Sequence, residues 1–305
     1  MSRPVRAARR ARPQAALLAC AVSVAGLTAL RLLMSALAIG ELGAVLLQAA
    51  GQLLFVLLPA ALGLLVLDGD QTRLVRFASL RPAQIRLFAL TGALAVFPAL
   101  LLSSALGGLW RMFLGAFFAV KPVHAASQGA ALSVFLFLPM LLCQALIAPV
   151  CEELFFRGYL LGVWSRGGAL RAALAVSLLF ALAHGFGGAT LVYLPLGLLF
   201  ALLTLRADSV LAAMLAHACY NATLVVLEFL GLGAWLGGMS LPACAAQLLG
   251  AAAFVLAFKR AMALRPTRAR ARLWDGRGLS RRELALLLGA ALALIVSMIV
   301  GGLLL

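Results

Sequence analysis

Apolar positions along this chain come in long unbroken runs, and the polar positions fall between them. The runs cover roughly 15–39, 42–67, 87–109, 133–164, 170–186, 189–205, 209–230, 237–258 and 284–305. Most approach the ~20 residues that carry a helix across ~30 Å of hydrocarbon. Period-2 alternation is absent, and Leu and Ala dominate. Backbone groups in lipid must bond within their own segment, so helices are the expected elements. The pattern predicts an all-α, polytopic transmembrane bundle of eight to nine spans. Pro139 and Pro149 interrupt the fourth run and predict a kink there. Asp208 and Ser209 read as an N-cap for the seventh.

Composition agrees. The 305 residues are 65% hydrophobic and 11% charged, too little charge to cover a soluble domain. Residues 1–14 are Arg-rich, and the run that follows to Ile39 is longer than a signal-peptide core, so it reads as a retained first span. No internal repeat or soluble domain is evident. The chain divides for description into N-terminal helices (1–128), a central core (129–232) and C-terminal helices with a basic loop (233–305). The net charge of +16 changes little about function. Basic loops orient helices and touch anionic headgroups, so nucleic acid is not an expected partner. With the N-terminus in the cytosol of a plasma (inner) membrane, the internal segments carry 22 basic residues. The external ones carry Arg111 and Lys121, and Arg31 lies within the first span. The five cysteines lie in or beside apolar runs without a CxxC pair, which predicts free thiols rather than a disulfide or zinc framework.

Ionisable groups inside a bilayer are costly and mark function by default. Of nine acids, Glu152 and Glu153 lie inside an apolar run. His184 and His217 lie inside the fifth and seventh runs, and Asn221, the sole asparagine, follows His217 by one turn. Residues four apart share a helix face. That pairs His217 with Asn221, Phe180 with His184, and Glu153 with Arg157. Counted from the expected helix ends at 1.5 Å per residue, Glu152, His184 and Asn221 lie ~20 Å deep and His217 ~14 Å. They form one polar layer near mid-membrane. Glu153 facing Arg157 reads as an orienting ion pair. Glu152, ~140° around the helix from Arg157, is free to face both histidines.

A carboxylate out of water beside imidazoles suits general-base activation of a water, with Asn221 as a donor to a developing oxyanion. Glu152, His184 and His217 would equally suit a divalent metal such as zinc, and the residues alone do not choose. HExxH, GxSxG and GxGD sequences are absent. Cys219 lies ~200° from His217 around the helix, which disfavours a cysteine nucleophile.

Glu152-Glu153-Leu154-Phe155-Phe156-Arg157 (EExxxR), Phe180 to His184 (FxxxH) and His217 to Asn221 (HxxxN) together resemble the CPBP (Abi) intramembrane proteases. That family includes type II CAAX prenyl endopeptidases and bacterial relatives linked to bacteriocin processing and self-immunity. The resemblance covers about residues 130–230. It implies Glu152 as water activator, His184, His217 and Asn221 completing the centre, and Glu153, Arg157 and Phe180 as support. It also implies a helical bundle around a conical cavity open to cytosol and membrane. The family is usually described as metalloprotease, with a metal-free mechanism also argued. The Ala-, Arg- and Leu-rich composition suggests a GC-rich bacterium, so a membrane-associated protein or peptide is expected as substrate rather than a prenylated CAAX chain. The competing readings are a non-catalytic immunity or regulatory membrane protein, and a transporter using Glu152 and His184 as a proton relay. Oligomeric state is not legible.

Overall fold

A computed structural model describes residues 13–37, 39–66, 75–114, 134–165, 168–184 and 188–264. Within these the chain is helical, in the order α1 (Pro13–Ala36), α2 (Glu41–Leu65), α3 (Pro82–Ala105), α4 (Val134–Trp164), α5 (Ala169–His184), α6 (Gly188–Ala207), α7 (Val210–Phe229) and α8 (Leu241–Ala263). Six are long and apolar enough to span a membrane, and the apolar parts of α5 and α6 are shorter. Eight of the nine expected spans are therefore helices. The expected ninth, 284–305, and the loop residues Lys121 and His124 lie outside the described residues. Large apolar side chains such as Leu65, Leu138 and Leu249 face outward, as a lipid-facing surface requires.

Helix α4 ends where its apolar run predicts. Arg157, counted among the internal basic residues, lies within it with a fully buried side chain, so that count falls from 22 to 21. One boundary differs from expectation. Helix α8 continues to Ala263, which places Lys259 and Arg260 on a helix end rather than in a loop.

The expected kink in α4 takes the form of a widened turn. Cys143–Ile147 and Leu154–Leu160 are π-helical, as is Gln52–Leu57 in α2. Pro149 follows the first α4 π-turn by two residues, and Pro59 follows the α2 π-turn likewise. A proline ring clashes with the carbonyl four residues back, and one extra residue in the turn relieves the clash.

Helix α7 starts differently from the expected cap. Ser209 occupies the N-cap position, but its hydroxyl caps nothing. The segment near residues 75–78 lies across this end of the bundle instead. Arg76 accepts from the Val210 amide at 2.7 Å through its carbonyl and pairs with Asp208 at 3.3 Å through its guanidinium. Asp208 therefore serves the loop contact, in a left-handed conformation (φ 52°). At its other end α7 stops in a Schellman turn. Gly231 (φ 70°) donates to Glu228 O, and Leu232 donates to Leu227 O.

Helices α3 and α7 pack at backbone contact. Gly92 lies against the Ala216 backbone with no room for a Cβ, and Ala212, Ala213 and Ala216 are fully buried. Small residues let membrane helices approach closely where dispersion has to hold them together.

Candidate active site

Glu152 and Glu153 end the regular turn between the two π-turns of α4. Being consecutive, they point ~100° apart, and they have different partners. Glu152 accepts a hydrogen bond from Gln52 Nε2 at 2.8 Å through Oε1. Its Oε2 lies 3.4 Å from His184 Nε2 and has no hydrogen-bond partner. Glu153 is fully buried and uses Oε1 twice, accepting from Arg157 Nη1 at 2.8 Å and meeting His217 Nδ1 at 2.9 Å.

The Glu153–Arg157 pair is as expected. The division of the histidines is not: Glu152 was expected to face both, whereas His217 hydrogen-bonds with Glu153. Helix α7 packs its His217 face toward the Glu153 side of α4, a choice that helical angles within α4 alone do not contain.

Each histidine is fixed at Nδ1. His184 Nδ1 lies 2.8 Å from Phe180 O. A carbonyl only accepts, so Nδ1 carries a proton, and Nε2 faces Glu152. This gives the FxxxH spacing its physical content, since the carbonyl four residues back lies on the same helix face. His217 Nδ1 is held in the same way by the Glu153 carboxylate. Aromatic rings fix both imidazoles. His184 stacks on Tyr193 at 4.4 Å, and His217 on Phe200 at 4.6 Å. Phe180 lies between them, 4.3 Å from His184 and 5.9 Å from His217, with the Arg157 guanidinium over its ring at 4.4 Å.

Arg157 is held three ways: by Glu153, by the Gly197 carbonyl at 2.7 Å and by the Phe180 ring. A buried cation needs such compensation. It ties α4 to α6 beneath the site.

Asn221 lies on the His217 face and donates Nδ2 to Gln144 O at 2.7 Å. In the π register the carbonyl of residue 144 would accept from residue 149. That residue is proline and has no N–H, so the side chain of Asn221 supplies the missing donor. One amide hydrogen of Asn221 remains.

These groups line a cavity of about 490 Å³ whose walls include Glu152, His184, His217 and Asn221. A void of about 30 Å³ reaches behind Glu152 toward α1, also touching Gln52, Ser23 and Arg31. Gln52 is the residue that the sequence reading missed. Gln48 and Gln52 are four apart inside an apolar run, the same pattern that singled out Phe180–His184, but an uncharged amide was not counted as costly.

Glu152, His184 and His217 have the donor chemistry of a zinc site. As arranged, no three His, Cys, Asp or Glu side chains among the described residues form a group able to hold a metal ion. Glu153 rather than Glu152 engages His217. The cysteines are free, and Cys20, Cys143 and Cys151 are buried.

A family model described as Type II CAAX prenyl endopeptidase Rce1-like matches residues 134–223. No curated protein and no solved structure matches the chain. The matched stretch begins at the first residue of α4, ends two residues beyond Asn221, and contains both glutamates, both histidines, Phe180 and Arg157. The α4–α7 core of this multi-pass membrane protein is thus similar to the type II CAAX prenyl endopeptidases over that stretch.

Proposed function

We propose that the chain cleaves a peptide bond of a membrane-associated protein or peptide with a water activated by Glu152. The observation that carries this reading is Oε2 of Glu152, which has no hydrogen-bond partner among the described residues and is buried at the cavity wall 3.4 Å from His184 Nε2. Buried polar atoms ordinarily have a partner, and a water there would donate one hydrogen to Glu152 and the other to His184. The water oxygen attacks the scissile carbonyl carbon as its proton passes to Glu152 Oε2. The remaining amide hydrogen of Asn221 donates to the developing oxyanion. When the C–N bond breaks, Glu152 returns the proton to the leaving amine. Glu153 and Arg157 hold His217 and the base of the site in place.

The protein lies in the plasma (inner) membrane with its N-terminus cytosolic, as the basic ends of its helices favour. Among the described residues the side chains do not converge as a metal-ligand group, and Glu152 alone activates the water.

Glu152→Gln keeps the shape and the bond from Gln52 but removes the base. Cleavage is expected to fall by at least ~100-fold. Precursors should accumulate in membranes carrying the variant, and comparative proteomics would identify them. Full cleavage by a folded Glu152→Gln protein sinks the proposal. Cellular function that survives both Glu152→Gln and His184→Ala would favour the non-catalytic immunity or regulatory role instead.

A further inference from the structure

We infer that Arg31 of α1 anchors a carboxylate of the peptide that occupies the cavity, so that the site prefers peptides bearing an acidic side chain or a free chain end. The inference deepens the peptidase reading and rests on it for the word substrate. The cation and its placement stand on separate observations.

Arg31 is the one basic residue inside the first apolar run, and it lies within the candidate span Ala15–Met34. A guanidinium inside a span is costly and marks function by default. Among the described residues Arg31 takes part in no ion pair, so no acid of the bundle compensates it. Its position on the helix says what it faces. Cys20, Ser23, Val24, Leu27 and Arg31 all border the small void behind Glu152. Steps of three, one, three and four residues keep them on one stripe of α1. Leu18, Val22 and Leu33 lie ~160–220° around the helix from Cys20 and are exposed, as a lipid face requires. Arg31 therefore belongs to the stripe that faces the site, and its side chain also borders the large cavity.

Glu152 and Glu228 are the acids of that cavity wall, and Arg31 is its one Lys or Arg. A planar guanidinium matches a carboxylate with two parallel hydrogen bonds. An acidic ligand is held against the two wall acids only by meeting Arg31 directly, so its preference should vanish with that side chain. Two rings separate the cation from the base. His184 Nε2 lies 3.4 Å from Glu152 Oε2, His184 stacks on Tyr193 at 4.4 Å, and the Arg31 charge acts on the Tyr193 hydroxyl. A carboxylate on Arg31 thus lies to one side of the activated water. The scissile carbonyl is then about two to four residues of extended chain away, at ~3.3 Å each. A lipid phosphate has oxygens of the same geometry, and a long side chain on a lipid face would reach for one. The site-facing stripe favours the ligand in the cavity.

Binding tests this without requiring cleavage. The full-length Glu152→Gln protein is placed in phosphatidylcholine nanodiscs, with protein-free nanodiscs as the baseline. Four hexapeptides of Ala and Leu, each with an uncharged N-terminal fluorophore, are titrated by fluorescence anisotropy. One is amidated and uncharged, one has a free C-terminal carboxylate, and two are amidated with an interior Asp or an interior Lys. At least one carboxylate peptide is expected to bind ~10-fold tighter than the uncharged one, the size of one charge-assisted hydrogen bond. A gain for the free-ended peptide alone assigns a chain end, and a gain for the Asp peptide alone assigns an acidic side chain. The gain should fall below ~2-fold in Arg31→Gln and pass to the Lys peptide in Arg31→Glu. Arg31→Lys keeps the charge and part of the gain, which separates loss of the anchor from loss of the fold. Equal affinities, no binding of any peptide, or a preference that survives Arg31→Gln overturns the inference. So does a preference abolished by adding phosphatidylglycerol, which would assign Arg31 to a headgroup. A protein that binds in the expected order but never cleaves fails the peptidase reading alone. One that cleaves while binding without regard to charge fails this inference alone.

Discussion

Glu152 and Glu153 are neighbours with one chemistry and two environments. Glu153 is held on Oε1 by a guanidinium and an imidazole, whereas Glu152 is held on one oxygen by Gln52 and has only His184 Nε2, at 3.4 Å, beside the other among the described residues. Gln52→Leu removes the hydrogen bond from Gln52 Nε2 that orients the Glu152 carboxylate. Stranding a buried acceptor costs about 1–3 kcal/mol, so turnover should fall ~10- to 100-fold with KM little changed, read by steady-state kinetics on a substrate identified from accumulated precursors. An unchanged kcat would remove Gln52 from the site. Arg157→Ala leaves Glu153 buried with the His217 imidazole as its remaining partner. Breaking a buried pair from one side costs ~3–5 kcal/mol, and thermal unfolding of the detergent-solubilised protein should show a marked fall in Tm. The residue types at these positions were legible in the sequence, because charge inside an apolar run is conspicuous. The partner of each was not. Which glutamate meets which histidine depends on how α7 and α5 lie against α4.

At the scale of elements, the proline-linked π-turns and the close helix crossings set the site's geometry. Pro149→Ala returns a backbone N–H to α4 at the register of Gln144 O. The carbonyl then has a main-chain donor, and Asn221 loses its reason to be held. Activity should fall to about the level of Asn221→Ala, with the protein still folded, and the double variant should be no worse than either single variant. Additive losses would show that the two residues act separately. Gly92→Val forces a side chain into the α3–α7 backbone contact. Overpacking of this kind costs ~1–3 kcal/mol, and a lower Tm should be accompanied by lost activity, since His217 is carried on the displaced helix. Helix existence was readable from apolar run length alone, and helices stand at eight of the expected runs, six of them long and apolar enough to span a membrane. The form of the kink in α4 and the absence of a side-chain cap at Ser209 were not readable. Both depend on partners brought from elsewhere, Asn221 for the freed carbonyl and Arg76 for the helix start.

At the scale of the whole molecule, no group of side chains among the described residues gathers as metal ligands, and the proposed chemistry rests on the Glu152 carboxylate. Cleavage by the purified protein should therefore persist after dialysis against EDTA and 1,10-phenanthroline. Activity lost to chelation and restored by zinc would assign the metal version of the chemistry to Glu152, His184 and His217.

Composition and run length by themselves determined that this chain is a helical membrane protein, because uncharged runs of that length have no other stable home. They also exposed its rare polar residues, because the bilayer makes each one costly, and the EExxxR, FxxxH and HxxxN spacings placed them on shared helix faces. Tertiary structure decided the pairings: Gln52 on Glu152, Glu153 on His217, Asn221 on the carbonyl that Pro149 leaves free. A helical period fixes angles within one helix, whereas contacts between helices follow from packing rotation, depth and the positions of small residues such as Gly92.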